Sequence, residues 1–174
     1  MLEIGKTLMP IGIVLLQVGS LILLFALIFA RESSLVKWLG TNAVLISFLA
    51  TLSAIAGSLF YSNIIGFDPC VLCWWQRIFM YPQFIIFAMA VIKRRSDIFL
   101  YTLPLSVIGA LIAIYQILLP YIESYGLGCG ATTVSCTKLY INAFGYITIP
   151  VMSLTIFATL ILLAVANRMT NSKS

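Results

Sequence analysis

Cys70-Val71-Leu72-Cys73 places two thiols close enough in sequence to share one disulfide, and Arg77 follows four residues after Cys73. Two more cysteines, Cys129 and Cys136, stand over fifty residues downstream, the first of them among Gly126, Gly128 and Gly130. Thiols beside a permanent positive charge point to disulfide exchange and electron transfer, because the thiolate is the reactive species and a cation stabilises it. Four cysteines allow three pairings, and only Cys70 with Cys73 and Cys129 with Cys136 keeps each bridge inside one loop. A static staple is a poor use of the first pair, since so short a ring hardly constrains the unfolded chain. Zinc is a poor use of all four: structural sites favour two short knuckles, whereas the second pair here is separated by six residues and the chain has no histidine. No metal is expected.

The elements that must position these thiols are membrane helices. Of the 174 residues 62% are hydrophobic and only 9% charged, and the mean hydropathy is +1.12, far from soluble domains. A hydrocarbon core about 30 Å thick takes roughly 20 helical residues to cross. Five stretches qualify: Leu8 to Ala30, Ala43 to Tyr61, Trp74 to Ile92, Ile98 to Leu119 and Ile147 to Ala166. Glu3, Glu32, Asp68, Asp97 and Glu123 all fall outside them, as the cost of a charge in the bilayer requires. Arg77 alone among the basic residues lies within a span, near its end, where a long side chain also reaches the interface.

Arginine and lysine counts set the expected orientation. Placing Arg31, Lys37, Lys93, Arg94, Arg95, Arg168 and Lys173 inside accounts for seven of ten basic residues and leaves Lys6, Arg77 and Lys138 outside. The N-terminus is then outside, the C-terminus cytoplasmic, and both cysteine loops face the periplasmic or extracytoplasmic side, where disulfides persist. The net charge of +5 follows from this topology, so no nucleic-acid partner is inferred. The first apolar run exceeds a signal-peptide core in length and ends in a poor cleavage site, Ile28-Phe29-Ala30. An uncleaved helix in the cell membrane is expected.

Asp68-Pro69 reads as a helix start, with Asp68 as N-cap and Pro69 in the first helical position. Cys70 and Cys73 would then lie in the first two turns, where the helix dipole favours thiolates, and Arg77 would share the face of Cys73. Trp74, Trp75 and Tyr81 read as an interfacial aromatic belt against which a flat ring could also pack. Pro82 is expected to kink the third span. The segment from Pro120 to Tyr146 is long for a loop, as functional or disordered segments are, and Lys138 to Tyr146 has the mixed character of a surface-lying stretch.

Cys70-Val71-Leu72-Cys73-Trp74-Trp75-Gln76-Arg77, continuing as Ile78-Phe79-Met80-Tyr81-Pro82, resembles the signature of the disulfide bond formation protein B family (DsbB/BdbC). The Cys129 to Cys136 loop followed by Phe144-Gly145-Tyr146-Ile147-Thr148-Ile149-Pro150 is similar to its BdbC branch. Vitamin K epoxide reductase relatives carry their quinone-facing Cys-x-x-Cys after the loop pair, the reverse of the order here. The resemblance implies an all-α integral membrane protein: a four-helix transmembrane bundle in residues 43–174, to which residues 1–42 add a further N-terminal transmembrane helix and a cytoplasmic connection. It also implies a relay. A reduced DsbA-like thioredoxin-fold oxidase attacks the Cys129 to Cys136 disulfide at Cys129, freed Cys136 attacks Cys70, and Cys73 is released beside a quinone, ubiquinone or menaquinone, with Arg77 favouring the charged species. The competing reading is a membrane scaffold or small transporter with stapled outer loops, in which loss of a cysteine lowers abundance and changes no redox rate.

Overall fold

The computed structural model describes residues 2–95, 97–123, 136, 141 and 143–171. The helices are α1 (Leu2–Phe29), α2 (Ser34–Thr41), α3 (Ala43–Leu59), α4 (Val71–Lys93), α5 (Phe99–Glu123) and α6 (Ile149–Asn171), with α3 extended by a π-helical turn over Phe60–Ile64. Five helical stretches are long and apolar enough to cross a membrane: Met9–Phe29, Ala43–Ile64, Val71–Lys93, Phe99–Tyr121 and Ile149–Asn171. The chain is an all-helical membrane bundle, with spans at the expected places and ends shifted by a few residues. Cys129 and Lys138 lie outside the described residues.

Burial is arranged for lipid. Leu15, Val18, Leu21, Ile22, Phe25 and Phe29 of α1 are exposed, while Leu23 and Leu27 are buried in the main core with Ile13 and Leu16 packed against it. The inward positions 13, 16, 20, 23 and 27 follow the three-and-four spacing of one helix face. The central helix is α6, which packs against α1, α2, α3 and α5, while α4 packs against α3 and α5.

Since lipid is as apolar as leucine, close packing and buried hydrogen bonds hold such helices together. On α5 the buried residues Thr102, Ser106, Ala110, Ala113 and Gln116 form one stripe of small and polar side chains. A Cβ on Gly109 beside that stripe would collide with the Phe157 ring of α6, so only glycine permits that approach. Ser106 Oγ donates to Gln83 Oε1 across α4 and α5 at 2.8 Å. Between α1 and α6, Gln17 Nε2 donates to Thr155 Oγ1 at 3.0 Å and the hydroxyls of Ser20 and Thr159 lie 2.8 Å apart. Bonds of this kind contribute about 0.6–2 kcal/mol each within a bilayer.

The connection between the first two spans is helical, although its charges read as a simple linker. Ser33 Oγ caps α2 by accepting from the Val36 amide, and Val36 and Gly40 are buried while Leu35, Lys37 and Trp38 are exposed. Asn167 of α6 donates to the Gly40 carbonyl at 2.9 Å, tying α2 to the bundle. Pro82 lies inside the continuous helix α4, and α5 runs through Pro120 to Glu123, so the long loop begins later than its proline suggested.

Candidate functional site

The start of α4 differs from expectation. Cys70, not Asp68, is the N-cap, with ψ 170°, and Val71 is the first helical residue. Gly66 at φ +82° turns the chain out of the π-helical end of α3, and the Phe67 amide closes that turn on the Tyr61 carbonyl. The Pro69 ring disfavours a helical backbone at Asp68, so proline here ends an extended lead-in. The Cys70 carbonyl then accepts the first helical bond, from the Trp74 amide at 3.1 Å. Cys73 sits in the first turn of α4, at the positive end of its dipole.

Three cysteines meet there. The Cys70 and Cys73 Sγ atoms are 3.3 Å apart, and Cys70 is buried in a small cluster with Cys136 and Leu119, against which Leu72 and Cys73 pack. Cys136 also hydrogen-bonds Cys70. The structure thus brings the loop thiol onto Cys70, while Cys73 lies toward Arg77.

Gln116 of α5 is a member of this site that the sequence did not single out. Its Nε2 reaches both sulfurs, Cys70 at 3.4 Å and Cys73 at 3.5 Å, and its Oε1 accepts from Gln76 Nε2 at 2.8 Å. Both glutamines are buried. The available signal was a polar side chain on the small-residue stripe of α5, near the end of an apolar span, since buried intramembrane polar groups mark function more often than chance.

Arg77 is held from α3: its Nε donates to Ser58 Oγ at 2.9 Å and its Nη2 to the Ser58 carbonyl at 3.3 Å. The guanidinium carbon also lies 5.4 Å from the centre of the Trp74 ring. No carboxylate pairs with Arg77 among the described residues, so its charge is available to a bound group.

These residues share one chamber of about 900 Å³, lined by Cys70, Cys73, Gln76, Arg77, Gln116 and Cys136 and otherwise largely apolar. That volume is within the range of small-molecule sites. Tyr61 and Tyr81 also line it, and their buried hydroxyls have no hydrogen-bond partner among the described residues. Trp74 and Trp75 are turned outward and exposed, as a belt requires, and do not line the chamber. Of Trp74, Trp75 and Tyr81, only Tyr81 lines the chamber. Among the described residues no cluster of potential metal ligands occurs.

A model of the family described as disulfide bond formation protein DsbB matches residues 40–167. The chain belongs to the DsbB family. Similar DsbB-family chains include the probable disulfide formation protein C 1 of Bacillus anthracis, 45% identical over 117 residues, covering 66% of this chain and 80% of the relative. The SPbeta prophage-derived disulfide bond formation protein B of Bacillus subtilis (strain 168) is 42% identical over 115 residues, 66% of this chain and 77% of the relative. The disulfide bond formation protein C of the same strain is 39% identical over 117 residues, 67% of this chain and 85% of the relative. No solved structure matches the chain. Membership of the DsbB family, with five helices able to span a bilayer, makes this a multi-pass membrane disulfide oxidoreductase. Helix α1 lies ahead of the residues that the family model matches.

The contacts at Cys70 have a pH consequence for this DsbB-family site. The hydrogen bond to Cys73 pushes the Cys70 thiol well above its ordinary value, and burial and the bond to Cys136 push the same way. A raised value means that the proton is held more tightly when folded, so any stabilisation from this contact is present below the ordinary thiol range and is lost as pH rises. In the reduced protein Cys70 is expected to resist iodoacetamide even near pH 9, above the ordinary cysteine value of about 8.5. Peptide mass spectrometry after timed alkylation checks this, and labelling of Cys70 as fast as an unfolded control would contradict it.

Proposed function

We propose that this protein reoxidises a DsbA-like thioredoxin-fold dithiol oxidase on the extracytoplasmic side and passes the electrons to a membrane quinone, so supporting disulfide formation in exported proteins. The observation that carries the reading is the shared chamber, in which Cys136 meets Cys70 while Cys73 and Arg77 border the same apolar space. In this reading the N-terminus lies outside and the C-terminus in the cytoplasm. Residues 43–174 are the redox domain, and residues 1–42 are an addition to it.

The steps follow from thiol chemistry. The partner's thiolate attacks Cys129 of the Cys129–Cys136 disulfide, and the partner's second thiol completes its own disulfide, leaving Cys129 and Cys136 reduced. The Cys136 thiolate attacks Cys70 Sγ of the Cys70–Cys73 disulfide; the Cys136–Cys70 bond forms, the Cys70–Cys73 bond breaks, and Cys73 leaves as a thiolate. Cys129 then displaces Cys70 from Cys136, which restores the loop disulfide and leaves Cys70 and Cys73 reduced. Closure of the Cys70–Cys73 bond releases two electrons and two protons. Gln116 donates toward both sulfurs when Cys70 and Cys73 are unbridged, and Arg77 supplies fixed positive charge where negative charge develops.

The chamber fits a quinone by its size, its apolar walls and the unpartnered hydroxyls of Tyr61 and Tyr81. Arg77, Tyr61 and Tyr81 are the groups that would hold its carbonyl oxygens. A bound quinone supplies the acceptor for two electrons and two protons.

The test is to add a reduced thioredoxin-fold protein and a short-chain quinone to the purified protein and follow quinone absorbance. The expected result is catalytic loss of quinone with matching loss of partner thiols. Intact, fully oxidised protein that leaves the quinone untouched would overturn the reading.

A further inference from the structure

Helix α1 is more than an appendage to the bundle. Met9, Gly12, Ile13 and Leu16 line the same chamber as Cys73 and Arg77, although α1 precedes residues 40–167, the part shared with the family. Its inner face is held in place at the level of the chamber. Gln17 donates to Thr155 of α6 at 3.0 Å and accepts from the Tyr146 hydroxyl at 2.9 Å, and Ser20 meets Thr159 one turn further on. Gln17 therefore ties α6 and the 143–147 turn to one point on α1. That turn follows the cysteine loop and carries positive φ at Phe144 and Gly145. A wall pinned in this way has a defined shape.

The glycines of α1 and α3 show where the wall is tight and where it is open. A Cβ on Gly57 of α3 would come to ordinary contact with Met9 Sδ, at 3.8 Å, so the two helices nearly meet there. A Cβ on Gly12 would have no atom within 4 Å. Gly12 lines the chamber and is itself exposed, so a side chain placed there stands at the chamber's open side, narrowing it without displacing a neighbour.

We propose that α1 forms one wall of the acceptor site and that Gly12 is a specificity-determining position, setting how bulky an apolar ring or prenyl tail the chamber admits. This rests on the quinone reading above. A fifth helix then tunes the acceptor side of the relay and leaves the thiol side alone, because the α1 residues that line the chamber belong to its apolar wall and carry no group that exchanges with a disulfide.

The experiment uses the full chain with Gly12 changed to Ala, Leu and Phe, and Gly19→Phe as control. Gly19 is on the same helix and, like Gly12, is exposed and would meet nothing with an added Cβ, but it lies outside the chamber. Two quantities are measured for each variant: the Kd of a short-chain quinone, from quenching of tryptophan fluorescence, and the single-turnover rate at which the quinone-free protein oxidises a reduced thioredoxin-fold partner. The proposal expects Kd to rise with side-chain size, by about tenfold or more at Gly12→Phe, with the thiol rate and the Gly19→Phe Kd both unchanged. A wild type that binds and reduces quinone alongside Gly12 variants of wild-type Kd would overturn the wall while leaving the quinone reading in place. Equal weakening by Gly19→Phe would also overturn it, since the effect would not be local. A wild type that neither binds nor reduces quinone would overturn the underlying reading itself. If Gly12→Phe does not fold, the smaller Gly12→Ala and Gly12→Leu decide by the same trend.

Discussion

Cys73→Ala is expected to lower quinone reduction by at least about 10⁴-fold, the scale seen when a residue that makes and breaks the reacting bond is removed. Without Cys73 there is no Cys70–Cys73 disulfide for Cys136 to open, and Cys70 has no neighbouring thiol with which to close the bond that releases the electrons. The loop pair keeps its own disulfide, so the variant should oxidise one equivalent of reduced partner and then stop. The wild type, with two disulfides and no quinone present, should oxidise two. Cys73 is only partly buried and its removal takes away one sulfur atom, so the fold should survive. Thiol titration of the partner and quinone absorbance, with a thermal melt for integrity, check all three expectations. Sustained turnover by a folded Cys73→Ala protein would show that electrons leave by another route.

Arg77→Met should cost about 10²–10³ in kcat/KM for quinone, the range for loss of one preorganised donor to developing negative charge. Methionine fills much of the same space but removes the bonds to Ser58 and the charge stacked on Trp74. Arg77→Lys keeps a charge but not the planar fork, so it should fall between, about tenfold below wild type. Oxidation of the first equivalent of partner in the absence of quinone should change no more than about twofold in either variant, because that step uses only the loop disulfide, and Arg77 makes no contact with Cys136 among the described residues. Steady-state kinetics against quinone, paired with quinone-free single turnover, separate the two effects. Equal loss in both measurements would assign Arg77 a purely structural role.

The readable and unreadable parts of this protein divide by distance along the chain. The five spans were legible because a bilayer demands long apolar runs whatever their neighbours do. Cys70, Cys73 and Arg77 were legible because one helical turn fixes their spacing. The helix start was misplaced by two residues: proline suits both the first turn of a helix and an extended lead-in, and Gly66 with the π-helical turn before it decided for the second. Helix α2 was missed because its charges suggested a linker, while its Ser33 cap and its buried Val36 and Gly40 depend on packing against α6.

Gln116 illustrates the remainder. It lies more than forty residues from the sulfurs it touches, and in one dimension it is a single amide in an apolar run. Only the packing of α4 on α5 points that amide at Cys70 and Cys73 and gives its oxygen to Gln76. Cys136 likewise reaches Cys70 from beyond two whole spans, and Gln17 of α1 meets Thr155 and Tyr146 over more than a hundred residues. Hydropathy and helical spacing, which are local, determined by themselves that this is a membrane protein with a thiol pair and a cation at the mouth of one helix. Which thiol meets which, what else touches the sulfurs and which helices wall the chamber were decided only by tertiary structure, because helix packing brings together side chains whose sequence separation carries no trace of their contact.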